Sequence, residues 1–311
     1  MIIDVDPGID DAMAIFYAIR RPGIILEALT TIFGNTDTAI ATENALRVLE
    51  LLDRPDIPVA KGVRRSFIHP YVRRADHVHG SNAIGDIELP EPKIRPIDEH
   101  ASDLITRMAK ENPGEITLCS VGPVTNLALA IARAPETAKL LRKIVIMGST
   151  IFHPGIHGPK APMVDANFAN DPEAAHIVLG SGANITLVGM DVTMTTLLST
   201  RMIDEVVREG DAAAKTLMRM AEFYVKAYEN MYPGIAGCGL HDPLAVAVAE
   251  DPSLAKTERM FVDVELHGEL TRGQTIADRR LTAAPLHNAE VCMDIDRKRF
   301  ERSFLAAIKG R

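Results

Sequence analysis

The sequence predicts an α/β protein built on a mainly parallel, doubly wound (Rossmann-like) sheet, with helices on both faces and a small antiparallel strand group near the C-terminus. Three observations carry this. Short apolar, β-branched runs alternate with longer stretches of helical apolar spacing, the pattern of repeated strand–helix units. Most of these runs end in a Gly, Asn or Pro turn that opens the next helix. After residue 259 the pattern changes to period-two alternation, which suits half-buried strands.

Taken in order, residues 2–6 (IIDVD) read as a short buried strand, Pro7-Gly8 as its turn, and Ile9 as the start of an amphipathic helix. Residues 25–33 form the next apolar strand, closed by Gly34-Asn35. Asp37 caps a helix that runs to about 52 with the spacing ALRVLELL. A short strand at 57–60 precedes an irregular stretch, 63–97, with the basic pairs Arg64-Arg65 and Arg73-Arg74, scattered prolines and several histidines. A loop of that length in a compact protein is functional or mobile as a rule. A helix at 101–110, a strand at 116–121 running into Gly122-Pro123, a helix at 125–132 and a strand at 143–147 follow. Residues 151–166 are again loop-like. Asp171-Pro172-Glu173 starts a helix with proline at its first position. A strand at 185–188 leads to a long helical stretch, 201–231, broken near Gly210. His241-Asp242-Pro243 opens the helix 244–250. Segments 259–266, 274–277 and 290–296 alternate as an antiparallel group, and a last helix runs to 308. No repeat, low-complexity tract or linker divides the chain, so residues 1–311 are expected to form a single domain.

Composition limits the function classes. The 311 residues are 47% hydrophobic and 24% charged, ordinary for a globular enzyme. A formal net charge of −8 without a basic block argues against nucleic-acid or anionic-membrane partners. Cys119, Cys238 and Cys292 are widely spaced, odd in number and form no zinc pattern. They fit a reducing compartment. No signal peptide and no apolar run of transmembrane length is visible, so a cytoplasmic location is expected.

The stretch that stands out is IIDVDPGIDDAMA at the N-terminus, which crowds Asp4, Asp6, Asp10 and Asp11 into one strand–turn–helix unit. Alternation puts Asp4 and Asp6 on one strand face, while Asp10 and Asp11 sit in the first helical turn. Carboxylates this close repel and shift one another's pKa values, and a bound cation relieves that. A donor set made only of oxygen suits a hard ion, Ca²⁺ or Mg²⁺, rather than zinc. The plainer reading is that Asp10 and Asp11 complement the helix dipole and that Asp6 caps the helix.

Other polar residues fall at the same end of the predicted sheet. Asn35, Val121 and Asp242 lie at strand ends or a helix start, and ligands in such sheets bind beyond the carboxyl ends of the strands. Asp6, Asp11, Asp242 and the Val121 carbonyl would make a cation shell completed by waters. Taken alone, Asp242 reads better as an N-cap before Pro243. A water held by the ion would be acidic enough to serve as nucleophile, with Asp6 as general base. Asp10, Asn35, Asp165 and Asn167 are short polar groups able to bind the vicinal hydroxyls of a sugar. Taken singly, Asn35 is also a turn residue, and Asp165 and Asn167 fit a solvated loop.

The opening DVDPGIDDAMA resembles the DTDPGIDDAxA signature of the nucleoside hydrolases of the inosine–uridine-preferring type. The resemblance extends over nearly the whole chain: GNTDTAIATENALRVLEL around Asn35, TLCSVGPVTNLALAI around Val121, VDANFANDPEAAHIV around Asn167, GLHDPLAVA around Asp242 and LTRGQTIADRR near the C-terminus. It implies Ca²⁺-dependent hydrolysis of the N-glycosidic bond of ribonucleosides, releasing ribose and a free purine or pyrimidine. By motif, Asp6, Asp11, Asp242 and Val121 would hold Ca²⁺ and Asp6 would be the base. Asp10, Asn35, Asp165, Asn167 and Asp242 would hold the ribose. His241 matches the family histidine linked to protonation of the leaving base. His79, in DHVHGSNAIGD, falls near the base pocket, where many members have HGxxGLG. Tyr224 and Tyr228, four apart on a predicted helix, face one way and could stack on the base or pack in the core. A homodimer or homotetramer is the expected assembly. Three departures bear on the substrate pocket. Asp165 stands where many members have glutamate, Pro159 where many have asparagine, and Ala83-Ile84 lacks the usual glycine.

Two alternatives remain open at this level. One is a non-catalytic, Ca²⁺-stabilised ribose- or nucleoside-binding protein. The other is a Mg²⁺-dependent phosphatase, because Asp4-Val5-Asp6 resembles the haloacid-dehalogenase nucleophile pair. The Pro-Gly-Ile that follows does not match that family's turn, and Asp10, Asp11, Asp242 and Asn167 would then have no role.

Overall fold

The buried apolar runs assemble one eight-stranded sheet in a computed structural model that describes residues 1–72, 75–153, 164–280 and 287–310. The strands are β1 (Ile2–Val5), β2 (Ala28–Thr31), β3 (Val59–Lys61), β4 (Thr117–Ser120), β5 (Lys143–Met147), β6 (Ile185–Val188), β7 (Leu197–Leu198), β8 (Cys238–Gly239), β9 (Ala255–Met260), β10 (Val262–Val264), β11 (Thr275–Ala277) and β12 (Ala289–Ile295). The main sheet has the order β3-β2-β1-β4-β5-β6-β12-β9. Every neighbouring pair in it is parallel except β12 with β9.

The central strands are buried on both faces because helices cover both, which is why they read as continuous apolar runs. Side chains still alternate. Ile3, Val5, Cys119 and Val145 join one core cluster with residues of the helices Ile9–Arg20, Thr38–Leu51, Ala212–Met231, His241–Glu250 and Arg297–Lys309. Ile2, Leu118, Ile144 and Ile146 join the other with residues of Ala101–Glu111, Thr125–Arg133 and Pro172–Leu179. Caps fix where helices begin. Asp37 accepts from the N–H groups of Ala39 and Ile40, and Asp171, ahead of Pro172, accepts from that of Ala174.

The C-terminal strand group differs in part from expectation. β10 and β11 do form an antiparallel pair. The segment 290–296 becomes β12, which pairs antiparallel with β9 as expected but also docks parallel to β6, so it extends the main sheet. Period-two alternation marks a half-buried strand but does not encode the direction of its partner. The expected strand 25–33 also shortens to Ala28–Thr31, and Ile25 stays 74% exposed. The break near Gly210 is present, between helices Thr200–Glu209 and Ala212–Met231.

Strand order reverses at β1. The chain moves outward through β2 and β3, then returns to the other side of β1 with β4. Open α/β sheets bind ligands at such a switch point, beyond the strand ends. Asp6 follows β1, Asn35 follows β2 and Val121 follows β4, so all three lie at that edge.

Candidate active site

Asp10 and Asp11 lie in the first turn of the helix Ile9–Arg20, and Asp242 is the second residue of the helix His241–Glu250, which packs against it. One carboxylate oxygen from each of these three buried residues lies within 4.8 Å of the others. Asp242 caps nothing: the N-cap position belongs to Leu240, so the capping alternative does not describe it. Asp11 reaches back over the turn and accepts the N–H groups of Asp6 (3.0 Å) and Gly8 (2.9 Å). Asn35 Nδ2 donates to Asp11 at 3.1 Å.

Asp6 has its own cradle. Its Oδ2 accepts the Asn35 N–H at 2.6 Å, and its Oδ1 is buried without a hydrogen-bond partner among the described residues. The backbone can come this close only because two neighbours are glycines. A Cβ on Gly34 would fall 1.9 Å from Asp6 Oδ2, and one on Gly122 would fall 2.5 Å from Oδ1. The reading of Asp6 as a helix cap is not met, because that helix has Gly8 at its N-cap.

Asp4 parts company with the other acids. It lies on the Ile2 face of β1, where Thr30 Oγ1 (2.6 Å) and Asn126 Nδ2 (2.8 Å) donate to it. The strand ends at Val5, so strict alternation no longer carries Asp6 along with Asp4. Asp4 therefore joins strands to the helix Thr125–Arg133, and the acidic cluster is Asp6, Asp10, Asp11 and Asp242.

Electrostatics make this cluster costly. Burial raises the pKa of all four carboxyl groups. For Asp6 and Asp242 the rise is large, and the neighbouring acids add to it. Asp10 is pushed up to about 6 and Asp11 to about 7. Among the described residues no lysine or arginine pairs with any of them. A nearby imidazole, His79, has its Nδ1 3.9 Å from Asp10. Burial pushes that imidazole down to about 3, and its Nδ1 accepts the Ile9 N–H at 3.2 Å. It is therefore neutral and contributes no ion pair. Asp10 Oδ1 and Asp6 Oδ1 are both buried without partners among the described residues. Oxygen donors, unpaired and mutually repelling, fit a hard divalent cation.

The opposite wall is aromatic. Tyr224 and Tyr228 project together from the helix Ala212–Met231, their ring centroids 4.8 Å apart. Tyr224 stacks on His79 at 5.2 Å and donates its hydroxyl to Asp10 Oδ2 at 3.2 Å. Tyr228 Oη makes a short hydrogen bond with His241 Nε2. The other ring nitrogen of His241, Nδ1, meets Thr193 Oγ1 at 2.7 Å. Burial pushes His241 down to about 3, so it too is neutral. A line of polar groups thus runs from Thr193 through His241, Tyr228 and Tyr224 to the acidic cluster, with Asp10 and Tyr228 as alternative acceptors for the single Tyr224 proton. Sequence reading identified the residues of this wall except Thr193, whose place in GMDVT carries no distinguishing signal.

The third side comes from the loop after β5 and from the helix Ala166–Asn170. Asn167 Nδ2 donates to the carbonyls of Val121 (2.8 Å) and Met147 (2.9 Å). This ties the expected cation-binding carbonyl to an expected sugar ligand. Asp165 is buried and turned inward. It caps its own helix through the Phe168 N–H and accepts the Ser149 N–H. Both of its oxygens are engaged by the backbone. Pro159 lies outside the described residues, as does the Arg73-Arg74 pair. Ala83 adopts φ +66°, so the position where the usual glycine is missing does require a left-handed backbone.

Fold and site together define a class: an open, mainly parallel α/β scaffold with a buried carboxylate cluster at the sheet's switch point and an aromatic wall beside it. Comparison with known proteins gives the family. Residues 1–302 match the model of the family described as inosine-uridine preferring nucleoside hydrolase. The chain is 40% identical over 277 residues to probable uridine nucleosidase 2 of Arabidopsis thaliana, covering 89% of this chain and 84% of that one. It is 37% identical over 304 residues to the inosine-uridine preferring nucleoside hydrolase of Leishmania major, covering 96% and 94%. The structure of a purine-preferring ribonucleoside hydrolase from Gardnerella vaginalis superposes with a TM-score of 0.94 at 37% identity, covering 99% of this chain and 98% of that one. The chain belongs to the inosine-uridine preferring nucleoside hydrolase family, enzymes that hydrolyse the N-glycosidic bond of ribonucleosides.

Proposed function

We propose that the protein binds Ca²⁺ at the acidic cluster and there cleaves ribonucleosides into ribose and free base. The observation that carries this is the convergence of Asp10, Asp11 and Asp242, buried and without a cationic partner among the described residues, at the end of β1. Asp6, Asp11, Asp242 and the Val121 carbonyl are the proposed ligands, and Asp10, grouped with Asp11 and Asp242, joins them. A divalent ion there would supply Lewis-acid polarisation and lower the pKa of an attacking water.

The chain's own groups divide the remaining work. Asp6 has one oxygen fixed by Asn35 N–H and one unpaired, so it can take a proton from water without reorienting. The glycosidic transition state is oxocarbenium-like, and surrounding carboxylates stabilise its positive charge. Asp10, Asn35 and Asn167 present acceptors toward ribose hydroxyls, and Asp242 assists. Asp165 acts at one remove, holding Ser149 and the helix that bears Asn167. His79, Tyr224 and Tyr228 form the surface against which the base lies, and Tyr228, held at its hydroxyl by His241, supports the departing base through a hydrogen bond. The phosphatase alternative is set aside with the family assignment.

The test is a panel of purine and pyrimidine ribonucleosides, with base and ribose quantified by chromatography, before and after chelation and after readdition of Ca²⁺ or Mg²⁺. The expected result is stoichiometric ribose and base, lost on chelation and restored best by Ca²⁺. Full turnover in chelator would remove the cation from the mechanism. Nucleoside binding without base release would favour a binding role.

A further inference from the structure

The one-turn helix Met190–Thr193 follows β6 and touches both the loop after β5 and the aromatic wall. Its Asp191 carboxylate gathers three successive backbone N–H groups, from Ile151 (3.0 Å), Phe152 (2.6 Å) and His153 (2.7 Å). The Met190 N–H donates to the Ser149 carbonyl at 3.0 Å. Just beyond the turn, the Thr196 carbonyl accepts the Leu240 N–H at 2.9 Å, next to His241. The turn is thus fixed to its surroundings on two sides, and Thr193, completely buried, projects from it to His241 Nδ1.

That contact has a particular chemical character. A neutral imidazole carries one N–H and one lone pair, and which nitrogen holds the proton is set by its partners. A carbonyl or carboxylate at Nδ1 would permit one tautomer only. A hydroxyl can donate or accept. Tyr228 Oη at Nε2 has the same freedom. His241 can therefore hold its proton on either nitrogen while both hydrogen bonds stay made and the ring stays in place.

We propose that Thr193 is a positioning residue for His241, fixing the imidazole plane through Nδ1 so that Tyr228, held at Nε2, presents its hydroxyl to the departing base without ring movement. This rests on the reading of His241 as the leaving-base group. Nothing in the motif around His241 predicts it, because the contact arrives from a different strand–helix unit.

The experiment compares Thr193→Val, which replaces the hydroxyl by a methyl group of similar shape, with Thr193→Ser, which keeps the hydroxyl. Each is assayed on uridine and inosine and on p-nitrophenyl riboside, whose leaving group departs without a proton. Thr193→Val is expected to lose roughly tenfold or more in kcat on the nucleosides, with KM changed less, and less than about threefold on the activated riboside. Thr193→Ser should recover most of the loss. Thr193→Ala, which leaves a cavity instead of inserting a methyl group, must show the same split and serves if the valine variant does not fold. Equal losses on both kinds of substrate, or no loss on nucleosides, would overturn the proposal. His241→Ala runs in parallel. If that variant shows no split, the leaving-base reading fails; if it shows one and Thr193→Val does not, only the role of Thr193 fails.

Discussion

The acidic floor of the site and its aromatic wall place opposite demands on the chain. The floor takes Asp6, Asp10 and Asp11 from one short segment and adds only Asp242 from far away, and its side chains repel. The wall takes His79, Tyr224, Tyr228, His241 and Thr193 from four separate segments, and its members hydrogen-bond and stack in sequence. The floor is therefore incomplete without a cation, whereas the wall is internally satisfied. A site divided in this way should fail differently at its two ends. Damage to the floor should abolish chemistry on every substrate. Damage to the wall should matter only when the leaving base needs help.

The largest effect is expected from Asp11→Ala. It removes a proposed ligand and also the acceptor for the Asp6 and Gly8 N–H groups, so the turn loses its shape along with its charge. Turnover should fall by about 10²-fold or more on nucleosides and on p-nitrophenyl riboside alike, since metal-assisted attack serves both. Steady-state kinetics on the two substrates decide it, and a variant that keeps the activated substrate near parental rate would break the distinction between floor and wall. Next comes His241→Ala. Help to a poor leaving group is worth roughly 10²-fold, and p-nitrophenyl riboside should be spared most of that loss. Comparable losses on both would move His241 from the wall to the floor.

How much of this was legible follows the same division. The floor announced itself because four acids in a short strand–turn–helix unit have no structural reason to be there. Even so, alternation assigned Asp4 to it wrongly, since the strand stops one residue before Asp6 and Asp4 turns to Thr30 and Asn126. Asp10 belongs geometrically with Asp11 and Asp242, although its neighbours in sequence do not say which oxygen points where. The mainly parallel sheet with helices on both faces followed from repeated strand–helix units, but the strand order, the switch at β1 and the parallel docking of β12 on β6 did not, because pairing is decided by tertiary packing. On the wall, the spacing of Tyr224 and Tyr228 gave a shared helix face, and only the fold shows that this face meets the site. Thr193 was invisible: one hydroxyl among several in VTMTTLLST, selected by the placement of two distant elements.

Removing the cation sharpens the comparison through its dependence on pH. Burial raises Asp10 to about 6 and Asp11 to about 7 in the folded protein, above the unfolded value of about 3.9. Between those values the cation-free native state holds more protons than the unfolded one, so this contribution to stability falls as pH rises. A bound cation displaces those protons and removes the penalty. Other carboxyls run the opposite way: Asp278 is held down to about 2 by its hydrogen bonds with Arg280. The clean quantity is therefore the increase in Tm caused by Ca²⁺ over chelator. It should grow from about pH 5 to about pH 7.5. The same increase at both ends would mean that the floor is not where the ion binds.

The smallest effect is expected in the loop that carries His79 to the wall. Ala83 sits there at φ +66° and is fully buried, in a turn that also contains Gly80, Gly85 and Asp86 at positive φ. The loop is held together by Asn82 and Asp86, which accept backbone N–H groups within it, and the Gly85 N–H donates to the His79 carbonyl at 2.7 Å. Ala83→Gly would relieve about 1–2 kcal/mol of left-handed strain. It would also lose about 0.8 kcal/mol of methyl burial and about 0.4–1 kcal/mol through a freer unfolded chain. These nearly cancel, so denaturant unfolding should find the variant within about 1 kcal/mol of the parent. Nucleoside turnover should be almost unchanged, because the hydrogen bonds that fix His79 do not pass through the Ala83 side chain. A loss of several-fold confined to nucleosides, at unchanged stability, would mean that the strained turn sets the position of His79 and that the wall extends further into this loop than its contacts indicate.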